Sequence, residues 1–159
     1  MLHINVICVG KIKESFFRDA ILEYSKRLSR FCNLNITELQ DEKIPEKASE
    51  KIKQEIKEKE GQNIISHIKK DSYVIALDLT GKELDSVALS QKIENLSISN
   101  SSITFIIGGS LGLSKQVLNS CNEKLCFSKM TFPHQLIRIF LLEQIYRAFK
   151  IANNETYHK

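Results

Sequence analysis

The chain has 159 residues and a mass of 18.2 kDa, the size of one ordinary domain. Hydrophobic residues make up 42% of it, and with only six glycines and two prolines this composition excludes a disordered, collagen-like or low-complexity protein. The formal net charge of +4 excludes a strongly polybasic protein, whereas a local patch for a polyanion and an ordinary basic surface both remain compatible with it.

The first strand–helix unit lies at the amino terminus. The β-branched run Ile4–Val9 predicts a buried strand that ends at Gly10. Ser15 can then cap a helix with one apolar stripe. The stripe consists of Phe16, Phe17, Ala20, Ile21, Tyr24, Leu28 and Phe31.

The second unit pairs an alternating strand with a highly charged helix. Leu34–Leu39 alternates as a strand does, and Pro45 with Glu46 can open a Lys/Glu-rich helix that runs to about Glu60. Gly61 is expected to interrupt this helix. Its charges are typical of a solvated face.

The third unit starts with the apolar run Tyr73–Leu79, followed by a turn at 80–82. Asp85 or Ser86 can cap a short helix that ends near Leu96. Together these segments predict a further strand followed by a crossover helix.

The fourth unit contains Ile103–Ile107, the most apolar of the predicted strands. Ser114 can cap a short helix, Lys124–Ser128 can form a last short strand, and Pro133 suits the first turn of a final helix to about Asn153. Strands that alternate with helices and are apolar throughout predict a single α/β domain. We therefore expect a mostly parallel, doubly wound sheet with helices on both faces.

The final helix is apolar around most of its circumference. Its apolar residues are Leu136, Ile137, Ile139, Phe140, Leu141, Leu142, Ile145, Tyr146, Phe149 and Ile151. Glu143, Arg147, Lys150 and Asn154 occupy one narrow face, and Arg138 falls nearly opposite. Burial on two sides predicts a homodimer, with a deeply buried intramolecular helix as the alternative.

Neither a metal site nor a membrane span is expected. Cys8, Cys32, Cys121 and Cys126 form no C-x-x-C pair, no histidine has metal-ligand spacing to them, and Cys8 and Cys32 fit small buried hydrophobic residues. No apolar run is long enough to cross a bilayer, and the first residues do not resemble a signal peptide. A cytoplasmic protein is expected.

Three loops follow predicted strands at their carboxyl ends, where open parallel sheets bind ligands. They are Asp78–Lys82, Gly108–Leu113 and Phe127–Pro133. The second, GGSLGL, lets a ligand approach the backbone but lacks the dinucleotide-binding spacing, and a tight strand-to-helix turn explains it equally well. The third, FSKMTFP, can clasp a flat heterocycle between apolar side chains, or these side chains can simply fill the core.

The carboxyl terminus brings together an aromatic hydroxyl, an imidazole and a cation in Tyr157, His158 and Lys159. Chain ends usually have no function. Following the basic residues Arg147 and Lys150, however, this tail could bind a phosphate and orient a base.

The stretch FSKMTFPHQLIRIFLLEQIYRAFKIANNETYHK, with IIGGSLG upstream and the early V-G-K, closely resembles the ribosomal RNA large-subunit methyltransferase H family. These are SPOUT-class, S-adenosylmethionine-dependent RNA methyltransferases. The resemblance implies an α/β fold with a carboxyl-terminal trefoil knot and a homodimer. The implied activity is methylation of N3 of a pseudouridine in large-subunit (23S) ribosomal RNA, on assembled ribosomes.

The resemblance also implies site residues. The S-adenosylmethionine pocket corresponds to Leu77, Gly108, Phe127, Ser128, Lys129, Met130, Thr131 and Phe132. The acceptor side corresponds to Arg147, Tyr157 and His158, with His158 as the first choice for a proton acceptor or an orienting group. Whether the tail serves its own subunit or the partner stays open.

Two other functions remain compatible with the sequence. One is a non-catalytic ribosome-binding or assembly factor that uses only the basic face. The other is a flavodoxin-like nucleotide-binding protein that uses the glycine-rich loop, although the chain lacks a phosphate-binding lysine motif.

Overall fold

The computed structural model describes residues 1–159. Five strands alternate with five helices along the chain. They are β1 (His3–Val9), α1 (Ser15–Leu28), β2 (Asn33–Leu39), α2 (Glu50–His67), β3 (Tyr73–Glu83), α3 (Ser86–Ser99), β4 (Ser102–Ile107), α4 (Lys115–Ser120), β5 (Glu123–Cys126) and α5 (His134–Ala152).

The five strands form one sheet in the order β2-β1-β4-β3-β5, and every pair is parallel. One core cluster joins α1, α3 and α5 to one face, and a second joins α2 and α4 to the other. This confirms the α/β fold with helices on both faces. No helix is long and apolar enough to cross a membrane.

β1 is a central strand with a nearly continuous apolar sequence, because it is buried on both faces. All of its residues from Ile4 to Val9 are buried. Val6 and Cys8 belong to the core beneath α5, whereas Ile7 and Val9 belong to the core beneath α2. Burial on both faces removes the polar alternation that a solvent-facing strand shows.

Two predicted helix starts are wrong by a few residues. Ser15 is the first helical residue of α1, and Glu14 occupies the cap position without a side-chain bond. α2 begins at Glu50, not at Pro45 or Glu46, because the Ser49 hydroxyl accepts a hydrogen bond from the Ile52 N–H at 3.2 Å. A serine oxygen satisfies an otherwise unpaired N–H group of the first turn.

Gly61 does not interrupt α2, contrary to the prediction, and is buried inside the helix. A β-carbon at this position would lie 2.4 Å from Ser114 Oγ. The glycine therefore permits close packing of α2 on the start of α4 instead of ending a helix. Ser114 caps α4 as predicted, accepting a hydrogen bond from Val117 N at 3.3 Å.

The turn predicted at 80–82 is also wrong, because β3 continues to Glu83. Both Leu77 and Lys82 pair with Leu125 of β5, so the residues between them bulge out of the ladder. Asp85 caps the following helix through Ala88 N at 2.7 Å, and that helix extends beyond Leu96 to Ser99. β5 is shorter than predicted and ends at Cys126.

α5 packs against α1 and α3 and buries five residues. They are Arg138, Leu141, Leu142, Ile145 and Ala148. The Arg138 side chain is only 2% exposed and is bonded within its own chain, whereas Phe140 on the same helix is 38% exposed. The homodimer and the trefoil knot stay predictions.

Candidate functional site

The three loops selected from the sequence converge on one cavity of about 490 Å³. They do so because β4, β3 and β5 are neighbours in the sheet and all end at the same edge. The lining includes Leu77, Asp78, Leu79, Thr80, Gly108 to Leu113, Phe127, Ser128, Met130, Thr131, Phe132, His134 and Ile137. The volume lies within the range of small-molecule sites.

The first wall of this cavity is the bulge in β3. Asp78 and Thr80 are turned into the cavity there, and the Asp78 carboxylate accepts a hydrogen bond from Thr80 N at 3.0 Å and another from the Thr80 hydroxyl. A bulge re-aims side chains that a regular strand would direct at the sheet faces. Asp78–Lys82 was selected from the sequence as a candidate ligand loop with a turn at 80–82, but its bulge was not predicted.

Gly81 makes the bulge possible. A β-carbon on Gly81 would lie 2.7 Å from three backbone atoms of Lys124 and Leu125. Backbone atoms cannot move aside as a flexible side chain can, so the two strands can approach this closely only at a glycine.

We expect Gly81→Ala to lower the free energy of unfolding by about 1–3 kcal/mol, because the added methyl group forces β5 away from β3. Urea unfolding measures the change. Lys82→Ala at the exposed neighbouring position is the matched control and should change stability by about 0.5 kcal/mol or less. Equal stability of the two variants would contradict the close approach.

α2 supports the second wall, the glycine loop that follows β4. The loop is closed by a hydrogen bond from Gly112 N to Gly109 O at 3.0 Å, and Gly112 has a φ of +80°. A β-carbon on Gly109 would lie 3.5 Å from a carboxylate oxygen of Glu60. Glu60 is buried and accepts a hydrogen bond from Glu42 N at 3.0 Å, and its burial raises the pKa of its carboxyl group.

The third wall follows β5 and combines apolar and polar groups. Phe127 and Ser128 are half-buried in it, whereas Met130 is 74% exposed at the rim. Phe132 packs edge-on against Phe140, with ring centroids 5.6 Å apart. Lys129 is exposed and does not line the cavity, unlike the other seven residues assigned to the donor pocket by resemblance.

Sequence reasoning missed two further lining residues, Lys57 and His134. Lys57 is half-buried and forms no ion pair, although its helix was interpreted as a solvated charged face. Helical periodicity alone cannot distinguish one lysine of such a face from the others. Only the packing of α2 beside the glycine loop places Lys57 at the cavity.

A second hollow of about 470 Å³ lies at the opposite edge of the sheet. It is lined by the segments that precede β1 and β4 and by residues of α3 and α5, and Glu94 is its only charged residue. Open parallel sheets bind ligands beyond the carboxyl ends of their strands. The cavity at that end is therefore the candidate site.

The carboxyl-terminal tail is tied to α5 through Glu143. One carboxylate oxygen of Glu143 accepts hydrogen bonds from Arg147 at 2.6 and 3.1 Å and from the Tyr157 hydroxyl at 3.2 Å. Arg147 lies 4.7 Å from the centroid of the Tyr157 ring. Burial and Glu143 raise the pKa of Tyr157, so its hydroxyl stays protonated at neutral pH.

His158 completes this cluster. Arg147 Nη1 lies 3.2 Å from His158 Nδ1. Because a guanidinium can only donate, Nδ1 must accept, and the ring proton of the neutral imidazole is then on Nε2. Glu143 was not predicted as a site residue, although its position four residues before Arg147 on one helix face was a usable signal.

The tail cluster and the main cavity are adjacent but separate. Arg147, Tyr157 and His158 do not line the cavity. Glu143 lines a smaller hollow of about 410 Å³, which shares Phe127, Ser128 and Phe132 with the main cavity. The main cavity thus borders a polar cluster, made of Arg147, Tyr157 and His158, that presents hydrogen-bond donors on an exposed surface.

Cys8 and Cys32 belong to the packing of the chain, whereas Cys126 lines the cavity and its Sγ lies 3.1 Å from Ser128 O. Cys8 and Cys32 are buried as predicted, and burial raises the pKa of each thiol to about 12. No group of three or more histidine, cysteine, aspartate or glutamate side chains is placed to hold a metal ion.

The chain is similar to known proteins over its whole length. A family model described as "Predicted SPOUT methyltransferase" matches residues 2–158. Three proteins named ribosomal RNA large subunit methyltransferase H align with 99% of this chain and 100% of their own length. They come from Clostridium beijerinckii (60% identical), Clostridium acetobutylicum (59%) and Clostridium novyi (60%).

Proposed function

Because this chain belongs to the SPOUT methyltransferase family, we propose that it transfers a methyl group from S-adenosylmethionine to N3 of a pseudouridine in 23S ribosomal RNA. The ribosomal substrate is taken from the names of the similar proteins. The nucleotide and the atom come from the resemblance of the carboxyl-terminal half. Such a substrate places the enzyme in the cytoplasm.

The observation that carries the proposal is the meeting of three loops at one cavity. S-adenosylmethionine has a flat adenine, a ribose and a charged methionine tail. The cavity offers apolar surfaces at Leu77 and Phe132, hydroxyl groups at Ser128 and Thr131, and a glycine backbone at 108–109 that a ligand can approach closely. These groups fit the donor.

S-adenosylmethionine would supply a methyl group on a positively charged sulfur. In that reaction N3 would form the new bond to the methyl carbon, the carbon–sulfur bond would break to leave neutral S-adenosylhomocysteine, and the N3 proton would pass to solvent. The residues of the cavity therefore have to hold the donor and exclude water, and most of the rate acceleration comes from positioning.

On the acceptor side, Arg147 and Tyr157 are preorganised by Glu143. The remaining Arg147 donors suit a phosphate or a carbonyl oxygen, and the Tyr157 ring suits stacking on a base. His158, with its proton on Nε2, is placed to donate to a carbonyl oxygen of the uracil ring. This arrangement favours an orienting role over proton acceptance while Arg147 occupies Nδ1.

We infer a homodimer, with RNA bound across both subunits. The tail cluster lies outside the donor cavity of its own chain, and the pair Phe132 and Phe140 leaves an apolar surface between the two. A second subunit that covers this surface would enclose the reacting groups. The surface shared by the two subunits would recognise the RNA, with a shaped site on the assembled ribosome as the substrate.

Two measurements test the proposed function. Calorimetry with S-adenosylmethionine should give one binding site for each chain, whereas a purely ribosome-binding factor should give no heat. Labelled methyl groups should then appear at pseudouridine in unmodified 70S ribosomes. Methylation of protein-free 23S fragments at the same rate would reject the assembled ribosome as the preferred substrate. The protein would still be an RNA methyltransferase.

A further inference from the structure

His134 lies where the donor cavity meets the first turn of α5. It is the first residue of that helix and lines the cavity, although neither the motifs nor the resemblance assigned it a role. Its Nδ1 is buried and has no hydrogen-bond partner. The ring is held close to β1, since its Cε1 lies 3.2 Å from where a β-carbon on Gly10 would stand.

The surroundings of Nδ1 decide which ring nitrogen carries the proton. The buried Arg138 guanidinium lies near the same point beside Gly10. A proton on Nδ1 would be an unpaired buried donor facing a cation, and this costs more than an unpaired lone pair beside that cation. The proton of the neutral ring therefore belongs on Nε2, which makes no hydrogen bond and is not among the buried unpaired atoms, on a ring that lines the cavity.

Burial is the main factor that favours the neutral form of His134. Burial and then Arg138 lower the pKa of its imidazole, and Asp41 and Glu14 oppose them. The charged groups on the neighbouring elements are Arg138 on α5, Asp41 after β2, Glu14 before α1, and Lys57 and Asp78 across the cavity.

We propose that His134 contacts the methyl donor as a neutral imidazole, with its Nε2–H donating a hydrogen bond to bound S-adenosylmethionine. This inference rests on the proposed function, since it assumes that the cavity holds this donor. A protonated ring would still donate from Nε2, but it would place a second positive charge in a site made for a cationic sulfonium. Protonation of His134 should therefore weaken binding of the methyl donor.

Charge also distinguishes the donor from its product. S-adenosylhomocysteine differs from S-adenosylmethionine by one methyl group and one positive charge on sulfur. Between pH 5 and 7 the amino group of both ligands stays protonated and the carboxylate stays ionised. A repulsion that comes from His134 should therefore affect the donor much more than the product.

The test is calorimetric titration of the full-length protein with both ligands at pH 7.0, 6.0 and 5.0. We expect the affinity for S-adenosylmethionine to fall as the pH decreases from 7.0 to 5.0, by up to about fivefold as the imidazole becomes fully protonated, the size of a repulsion between two charges across a partly solvated cavity. The affinity for S-adenosylhomocysteine should change by less than about twofold, because a neutral sulfide is not repelled.

His134→Gln keeps a neutral N–H donor and should abolish the pH dependence. His67→Gln is the matched control, because His67 is exposed on α2 and bonds only locally, and it should keep the dependence of the unaltered protein. Nitrogen-detected NMR of the histidine rings should also find the His134 proton on Nε2. If His134→Gln is too unstable to titrate, the NMR measurement tests the proposal instead. The His134 proton should be on Nε2 both in the free protein and with S-adenosylmethionine bound.

The outcomes separate the two proposals. If neither ligand binds at any pH, the proposed function fails, and the inference fails with it. If both ligands bind but the donor loses no affinity at pH 5.0, or loses the same affinity in His134→Gln, the function stands and the role of His134 is rejected. A proton on Nδ1 would also reject it.

Discussion

Replacing Arg138 by methionine should lower the free energy of unfolding by about 3 kcal/mol, because two backbone carbonyl oxygens lose a buried, charged hydrogen-bond donor. Arg138 donates to the Glu38 carboxylate at 2.8 Å and to the carbonyl oxygens of Val9 and Gly10 at 3.0 and 2.8 Å. These bonds join α5 to the carboxyl end of β1 and to β2. Methionine fills much of the volume but leaves both carbonyl groups without their donors.

The size of the effect depends on which groups are stranded. The Glu38 side chain is 37% exposed and still accepts from Ile12 N at 2.8 Å, so water compensates it when the guanidinium is lost. The Val9 and Gly10 carbonyl oxygens accept their hydrogen bonds from a buried guanidinium. Each oxygen left unpaired there lowers the free energy of unfolding by about 1–3 kcal/mol. Most of the expected loss therefore comes from the carbonyl groups and not from the ion pair.

Urea unfolding of three variants checks this division. Glu38→Gln keeps a hydrogen-bond acceptor and should lower the free energy of unfolding by about 1 kcal/mol or less. Arg138→Lys keeps the charge but not the forked donors, so its loss should lie between those of the other two. If Glu38→Gln were as damaging as Arg138→Met, the ion pair and not the carbonyl groups would dominate.

For Arg138, the sequence predicted burial but not the groups that contact the side chain. Its position opposite the polar face of α5 was visible, and together with the apolar circumference it predicted burial on two sides, against a second chain or, as the alternative, inside the same chain. The structure gives this arginine partners within its own chain, including Val9 on a strand 129 residues earlier. A helical pattern indicates that a position is buried but not what covers it.

The fold class itself could be predicted because its signals are local. The buried runs of β1 and β4 and the caps at Asp85 and Ser114 each depend on only a few adjacent residues. The errors occur where a distant segment decides the local conformation. Gly61 stays helical because Ser114 packs against it, and Gly81 stays in a strand because β5 lies against it.

In the site, too, local features could be predicted and contacts between distant segments could not. The rule that parallel sheets bind ligands at their carboxyl edge was enough to select three loops, and these loops do form one cavity. The strand order that makes them neighbours was not predictable, nor was the placing of Lys57 and His134 at the cavity. The tail residues were noted for their chemistry and assigned to the acceptor side by resemblance, but the Glu143 carboxylate that holds them was not predicted.

Deleting Tyr157 to Lys159 should reduce single-turnover methylation by about 100-fold or more, the scale expected when acid–base or orienting groups are lost. Binding of S-adenosylmethionine should stay within about twofold of the intact protein, because none of these residues lines the donor cavity. Lys159→Ala is the matched control, because Lys159 is exposed at the chain end and forms no ion pair. A deletion that weakened donor binding and rate equally would place the tail in the donor pocket.

Two substitutions at His158 then separate an orienting group from a base. Since Arg147 donates to Nδ1 and Nε2 carries the proton, the ring offers a donor and has no free lone pair. His158→Gln can still donate and should keep most of the rate, whereas His158→Ala should lose about as much as the deletion. If solvent removes the N3 proton, the rate should rise with pH above neutrality in both the unaltered enzyme and His158→Gln. A base at His158 requires the opposite result, in which glutamine is as inactive as alanine and Arg147 must first release Nδ1.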